Sequence, residues 1–467
     1  MEYVDGEDGM KYEDYIKTKQ KVNRVEGIET DSISPVLFNF QADITKWALR
    51  KGRAAIFADT GLGKTLMQSE WARHVSERGR VLMLAPLAVA EQTVTEAKDK
   101  LGIKIKYCRK DEGEQITITN YEMMEHFNPK DFIGVVLDES SILKSYSGRT
   151  RNALIEMFQK TPYRLACTAT PSPNDYTELG NHSEFLGVKT RSEMLAEYFV
   201  HDLQNTQDWR LKGHAVKPFW RWVSSWGAMI KRPSDLGYKD EGFKLPALNI
   251  IQKIIAIHPR DFWGEGFLFP PDVKTLSDQR ATRRATSSER VKIAAEIANM
   301  KGPCLVWCEL NDEADAVEKE IKGAVQVKGS DSIEKKKENL VAFTNGKVRV
   351  MVSKVSICGF GMNWQKCNRM VFLGASHSYE QTYQAIRRCW RFGQKNPVDV
   401  YVISADTESS IMENFRRKEE DAEKMTEEMV SMVKESLVSE IRGSSKEWND
   451  YNPSNEIKIP EWVGVDA

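Results

Sequence analysis

From Phe38 onward, apolar residues gather in short runs separated by stretches of helical spacing. Runs at Ala54–Ala58, Val81–Ala85, Ile103–Tyr107, Ile116–Thr119, Ile133–Leu137 and Tyr163–Thr168 have the length and composition of buried strands. Helical stretches fill the intervals, so the pattern predicts a parallel sheet covered on both faces. Between about 178 and 290 the alternation stops, and helical spacing with many aromatics takes over (Phe219, Trp220, Trp222, Trp226, Phe262, Trp263). It resumes from 288 to 404, with strands expected at Cys304–Cys308, Val325–Val327, Val348–Ser353, Met370–Leu373 and Val398–Ile403. The predicted fold class is α/β: two parallel-sheet lobes, a mostly helical insertion between them, and a C-terminal helical tail.

The boundaries that follow are a charged extension at 1–35 with one short helix near Tyr12–Val22, a first lobe at 36–178, the insertion at 179–287, a second lobe at 288–405, and the tail at 406–467. In the tail Ile411, Met412, Phe415, Met425, Met429, Met432 and Val433 recur at helical spacing on a charged background. This predicts a helix or helical pair lying on the second lobe.

Composition narrows the class only a little. The chain has 467 residues, 41% hydrophobic and 29% charged, as in soluble globular proteins. Pro86 interrupts its longest apolar candidate, Val81 to Ala90, and the N-terminal residues are acidic and polar. No membrane span and no signal core are therefore expected, and the expected location is cytoplasmic. Seven cysteines are scattered without a Cys-x-x-Cys pair, which argues against structural zinc. The net charge of −1 is neutral on nucleic acid, because a whole-chain sum does not see a basic cleft.

The chemistry begins at Ala58-Asp-Thr-Gly-Leu-Gly-Lys-Thr65, between a strand run and a helical stretch. In that context Thr60, Gly61, Leu62 and Gly63 form a loop whose N–H groups bind phosphate oxygens, and Lys64 reaches the β/γ-phosphates. The run Val135-Val-Leu-Asp138-Glu139 delivers two adjacent carboxylates at a strand end. An Asp-Glu pair is commonly a solvated turn, but after an interior strand it reaches the sheet edge that carries the loop. Thr65 and Asp138 are then candidate ligands for Mg2+, and Glu139 orients or deprotonates the attacking water. ATP with Mg2+ is the cofactor set these residues predict.

Other segments are weaker by themselves. Gln41 starts a helix, where glutamine is usually structural, and Thr168-Ala-Thr170-Pro-Ser-Pro-Asn174 reads as a Pro-rich turn. Phe219-Trp220-Arg221-Trp222 with Trp226 has the spacing of a buried helical core more than of a base-stacking platform. In the second lobe Gly359-Phe-Gly361-Met-Asn363 follows a strand, and Arg388 and Arg391 share one helical face. An Arg cluster is most often a solvated face, yet two guanidiniums at a sheet edge suit a polyphosphate.

Taken in order, Gln41, Ala58–Thr65, Asp138-Glu139, Thr168–Asn174, Gly359–Asn363 and Gln384–Gln394 resemble the motif series of superfamily 2 helicases. Leu62-Gly-Lys-Thr65, Thr170-Pro171 with Asn174, Gln384-Ala385 with Arg388, Arg391 and Gly393-Gln394, and Lys231-Arg232 before Leu245-Pro246 look most like the Swi/Snf-type DNA translocases. Ser140-Ser141 departs from the family's Gly-His or Ala-His, and Pro173 stands where glutamine is common. The compact form, without chromatin-reading modules, resembles phage or bacterial members.

The resemblance implies two RecA-like lobes and a DNA-dependent ATPase or helicase acting on duplex DNA through its backbone. It implies that Gln41 contacts adenine, that Glu139 is the general base, and that Arg388 and Arg391 reach the γ-phosphate when the lobes close. Gly361, Thr168 and Thr170 would relay the nucleotide state. An RNA helicase of the same superfamily and an ATP-switched clamp that recruits a partner are the alternatives. A replication or recombination protein is the kind of partner such an enzyme would serve.

Overall fold

The computed structural model describes residues 27–441 except 145–147, 173–174, 202–208, 257–281, 359–362 and 375–378. The first sheet contains β1 (Arg53–Ala58), β2 (Val81–Ala85), β3 (Lys106–Tyr107), β4 (Ile116–Asn120), β5 (Gly134–Asp138), β6 (Tyr163–Thr168) and, after a β7–β8 hairpin (Phe199–His201, Trp209–Leu211), β9 (Gly227–Ile230). Its order is β3-β4-β2-β5-β6-β1-β9, with every pairing parallel. The second sheet joins β10 (Leu248–Ile255), β11 (Cys304–Cys308), β12 (Ala324–Val327), β13 (Val350–Lys354), β14 (Arg369–Phe372) and β15 (Val398–Ala405). It runs β10-β15-β14-β11-β13-β12, again all parallel. The protein is thus α/β with two RecA-like parallel-sheet lobes.

Period-two alternation splits each strand between two cores. In β1, Ala54, Ile56 and Ala58 enter the cluster on one face, while Ala55 and Phe57 enter that on the other. β5 and β2 are buried along their whole length, which is why their sequences read as continuous apolar runs. β5, β6 and β1 lie side by side, so Asp138, Thr168 and the loop after Ala58 emerge at one edge.

Several expectations change. The strand expected at Ile103–Tyr107 forms only at Lys106–Tyr107. The segment read as a mostly helical insertion contributes β9 to the first sheet and β10 to the second, so the sheets reach past the boundaries drawn at 178 and 288. β9 is only four residues long, and β10 is a half-exposed edge strand, so neither gives an interior-strand pattern. The aromatic segment does pack as core: Phe219, Trp220 and Trp226 are buried beside Tyr198 and Phe199. The helix expected at Tyr12–Val22 lies outside the described residues.

The tail is one helix, Ser409–Ile441, and its described apolar contacts are with the first lobe, not the second. Met429, Val430 and Val433 join the core around Val223, Trp226 and Met229, and Leu437 and Ile441 join the opposite cluster. Thirty-three residues of helix extend about 50 Å, enough to leave β15 and cross to the other lobe. Lys231 pairs with Glu423 and Glu427, and Arg50 holds the last carbonyl, Ile441, at 2.9 Å. No helix among the described residues is long and apolar enough to cross a membrane.

Candidate functional site: a cavity between the two lobes

The loop between β1 and the Lys64–Ser76 helix turns on Gly61 and Gly63, at φ 92 and 83, a left-handed conformation that costs glycine nothing. Space demands glycine as well. A Cβ on Gly63 would lie 2.2 Å from Gln41 Nε2, and one on Gly61 would lie 3.0 Å from the Phe392 backbone nitrogen of the second lobe. Gln41 fixes this loop: its Nε2 donates to the Leu62 carbonyl at 2.8 Å, and its Oε1 accepts from the Phe38 N–H at 2.9 Å. Its amide thus ties the loop to the start of the Asn39–Lys51 helix.

Lys64 Nζ donates to the Ala58 carbonyl at 2.8 Å. Burial pushes its pKa down, against the opposing pull of Glu139, Asp59 and Asp138. At the neighbouring strand end, burial raises the Asp138 carboxyl to about 6, helped by the adjacent Glu139. Tyr121 OH donates to the Asp138 carbonyl at 2.7 Å. Glu139 sits at φ 55, where no other non-glycine among the described residues has a positive φ. Such a conformation costs about 1–3 kcal/mol and is typically kept where a side chain must be aimed. Thr168 Oγ1 lies 3.5 Å from Glu139 Oε2 and accepts from the Thr170 N–H at 3.1 Å.

The residue after the acids, Ser140, bonds the buried His182 at 3.1 Å. Burial drops the His182 pKa to about 4, so the ring is neutral near pH 7. The histidine missing beside the acids is supplied to this network from a different helix.

Gln41, Thr60, Gly61, Gly63, Lys64, Thr65, Asp138, Glu139, Arg388 and Arg391 all line one cavity of about 310 Å³ between the lobes. Leu62 does not: its side chain is buried in the first-lobe core, and only its backbone belongs to the loop. An apolar residue between two loop glycines anchors the turn instead of facing a ligand. Gly361 lies outside the described residues. Arg388 is buried, its Nε donating to the Gln384 carbonyl at 3.2 Å, within the field of both carboxylates. Burial and neighbouring arginines lower Arg391 to about 10, still charged at neutral pH.

Apart from Asn363, which belongs to the Gly359–Asn363 segment, the other residues in and beside this site were not singled out from the sequence. Arg387 crosses to the first lobe, pairing with Asp59 at 2.5 Å and donating to the Thr60 carbonyl at 3.0 Å. Tyr383 OH lies 3.3 Å from the same carboxylate, and Asn363 Nδ2 donates to Glu96 at 3.0 Å. Phe38, Phe243 and Phe392 also line the cavity. The only sequence signal for Arg387 is its position beside Arg388.

The fold and site define a two-lobed nucleoside-triphosphatase. The family model "Type III restriction enzyme, res subunit" matches residues 28–173, and "Helicase conserved C-terminal domain" matches 289–393. Together the two matches take in more than half the chain, one on each lobe. The two matches, one on each lobe, show that the chain carries the ATP-hydrolysing core of a helicase. The mouse protein described as "DNA annealing helicase and endonuclease ZRANB3" is 25% identical over 161 residues, which take in 30% of this chain and 15% of that protein. The "Sulfolobus solfataricus SWI2/SNF2 ATPase core in complex with dsDNA" overlays 89% of this chain and 98% of its own at 16% identity, with a TM-score of 0.42.

Proposed function

We propose that this chain couples hydrolysis of Mg-ATP to movement along duplex DNA. One observation carries most of the proposal. The phosphate loop and paired carboxylates of one lobe face the same cavity as two arginines of the other. Lys64 and the loop N–H groups hold the phosphates, and Glu139 takes a proton from the attacking water. Arg388 and Arg391 stabilise charge on the transferred phosphoryl group, and only a closed cleft brings them there.

The donor set suits a hard dication. A threonine hydroxyl at a helix start stands with a buried carboxylate whose proton affinity is raised by burial and by a second carboxylate. Thr65 and Asp138 would hold Mg2+, which supplies charge neutralisation at the β- and γ-phosphate oxygens. Gln41, by resemblance, faces the adenine.

DNA as the track is supported by the motif resemblance and by the DNA helicase description of ZRANB3. Contacts to the phosphate backbone make such binding independent of sequence and steeply dependent on salt. The test compares ATP turnover with duplex DNA, single-stranded DNA, RNA and no nucleic acid, together with displacement of a third strand from a triplex. Duplex DNA should give the largest stimulation, and the third strand should be stripped only with ATP. Stimulation by RNA alone would favour the RNA helicase alternative. Nucleotide-gated binding without displacement would favour a clamp.

A further inference from the structure

We infer that His182 is a positioning residue for hydrolysis: through Ser140 it holds the Asp138-Glu139 turn in its strained shape and so aims the Glu139 carboxylate. The inference rests on the assignment of Glu139 as the group that activates water. Glu139 sits at φ 55, a left-handed backbone that residues other than glycine seldom adopt. Such a backbone persists only where its surroundings over-determine it. Two bonds lie within the turn itself. Asp138 Oδ1 accepts from the Glu139 N–H at 3.1 Å, and the Glu139 carbonyl accepts from the Ile142 N–H at 3.3 Å. Neither fixes how the turn sits on the lobe. Tyr121 does so on the Asp138 side, where its OH donates to the carbonyl at 2.7 Å.

On the far side of Glu139 the grip comes from the helix Leu179–Leu186. His182 Nε2 lies 3.1 Å from Ser140 Oγ, and both residues are fully buried. One residue earlier, Asn181 Nδ2 donates to the Leu143 carbonyl at 2.8 Å and to the Lys144 carbonyl at 3.1 Å. Two adjacent side chains of one helix thus hold the segment after the acids, with His182 at its first residue. The imidazole is itself held edge-on to Phe57 of β1, with ring centres 5.1 Å apart. The same stretch of chain meets Glu139 a second time. Where it leaves β6, Thr168 Oγ1 lies 3.5 Å from Glu139 Oε2. Glu139 is therefore bracketed, at its carboxylate by Thr168 and at the next residue by His182. An apolar side chain would fill position 182 as well, but a buried hydroxyl paired with a buried imidazole also fixes direction.

The test separates aim from packing. The parent protein is compared with Ser140→Ala, His182→Phe, His182→Asn, His182→Gln and the double variant Ser140→Ala, His182→Phe. For each, kcat for ATP is measured with and without duplex DNA, beside the dissociation constant for ATP. Glutamine places a polar atom at the reach of Nε2, whereas asparagine places one only at the reach of Nδ1. Ser140→Ala, His182→Phe and His182→Asn should each lower kcat on the order of tenfold and leave ATP affinity within about twofold, because the base loses its aim while the phosphate contacts remain. His182→Gln should recover most of the parent kcat, and the double variant should be no slower than the slower single one. Three results would overturn the inference and leave the ATP site standing: parent-like kcat in Ser140→Ala, the same loss in His182→Gln as in His182→Phe, or kcat and ATP affinity falling together. A parent that does not hydrolyse ATP would overturn the assignment of Glu139, and the inference with it.

Discussion

Arg387 of the second lobe is ion-paired with Asp59 of the phosphate loop, with 2.5 Å between nitrogen and oxygen and with the guanidinium almost wholly buried. The contact joins the two lobes, and it lies beside Arg388 and Arg391 on the same segment. Arg387 thereby positions its neighbours over the loop without facing the carboxylates itself. Arg387→Ala and Asp59→Asn should each lower kcat/KM for ATP on the order of tenfold or more. The double variant should be little worse than either single one, because both remove one interaction. Fully additive losses would mean that the two residues act separately.

Glu139 and Lys64 should fail in different ways. Glu139→Gln should slow turnover by about 10²–10⁴ and leave ATP binding close to that of the parent, as expected for a lost general base. Lys64→Ala should weaken nucleotide binding as well as turnover, since that ammonium is placed to meet phosphate. Nucleotide affinity measured beside steady-state turnover separates the two.

Asp138 sets a pH limit. Its carboxyl is raised from 3.8 to about 6, so the folded protein binds more protons than the unfolded chain between those values. This group therefore weakens the fold as pH rises through that window. The cost is complete above about pH 6. Activity runs the other way, because a cation ligand must be ionised. The kcat/KM for ATP should fall below about pH 6, with a larger magnesium requirement there. Asp138→Asn should remove that limb along with most activity.

The C-terminal helix should derive its hold on the first lobe from apolar burial more than from its ion pairs. Leu437 is 1% exposed, so Leu437→Ala should cost about 2–5 kcal/mol. Lys231 meets Glu423 and Glu427 at an exposed surface, so Lys231→Ala should cost about 0–1 kcal/mol. Thermal unfolding of the two variants ranks them, and equal losses would contradict this account.

Local pattern made much of the fold legible. Interior strands such as Val81–Ala85 and Tyr163–Thr168 are buried along their whole length and mostly apolar, and the glycine loop names its own conformation. What escaped depends on distant partners. β9 is four residues that become a strand only beside β1. The Ser409–Ile441 helix shows an apolar stripe in sequence, but nothing there says which lobe receives it. Arg387 and Phe392 sit in unremarkable local contexts, and their partners in the first lobe, Asp59 for one and Phe38 for the other, are distant in sequence. Leu62 adds a detail that the motif does not show: its side chain is buried in the first-lobe core and anchors the loop.

ATP turnover of the protein with and without linear duplex DNA decides whether the cavity between the lobes is an ATP site driven by DNA. Duplex DNA should raise the rate many-fold at low salt, with the stimulation falling steeply as salt rises and disappearing in Arg388→Ala. Turnover that is the same with and without DNA, and unchanged in Arg388→Ala, would contradict that assignment.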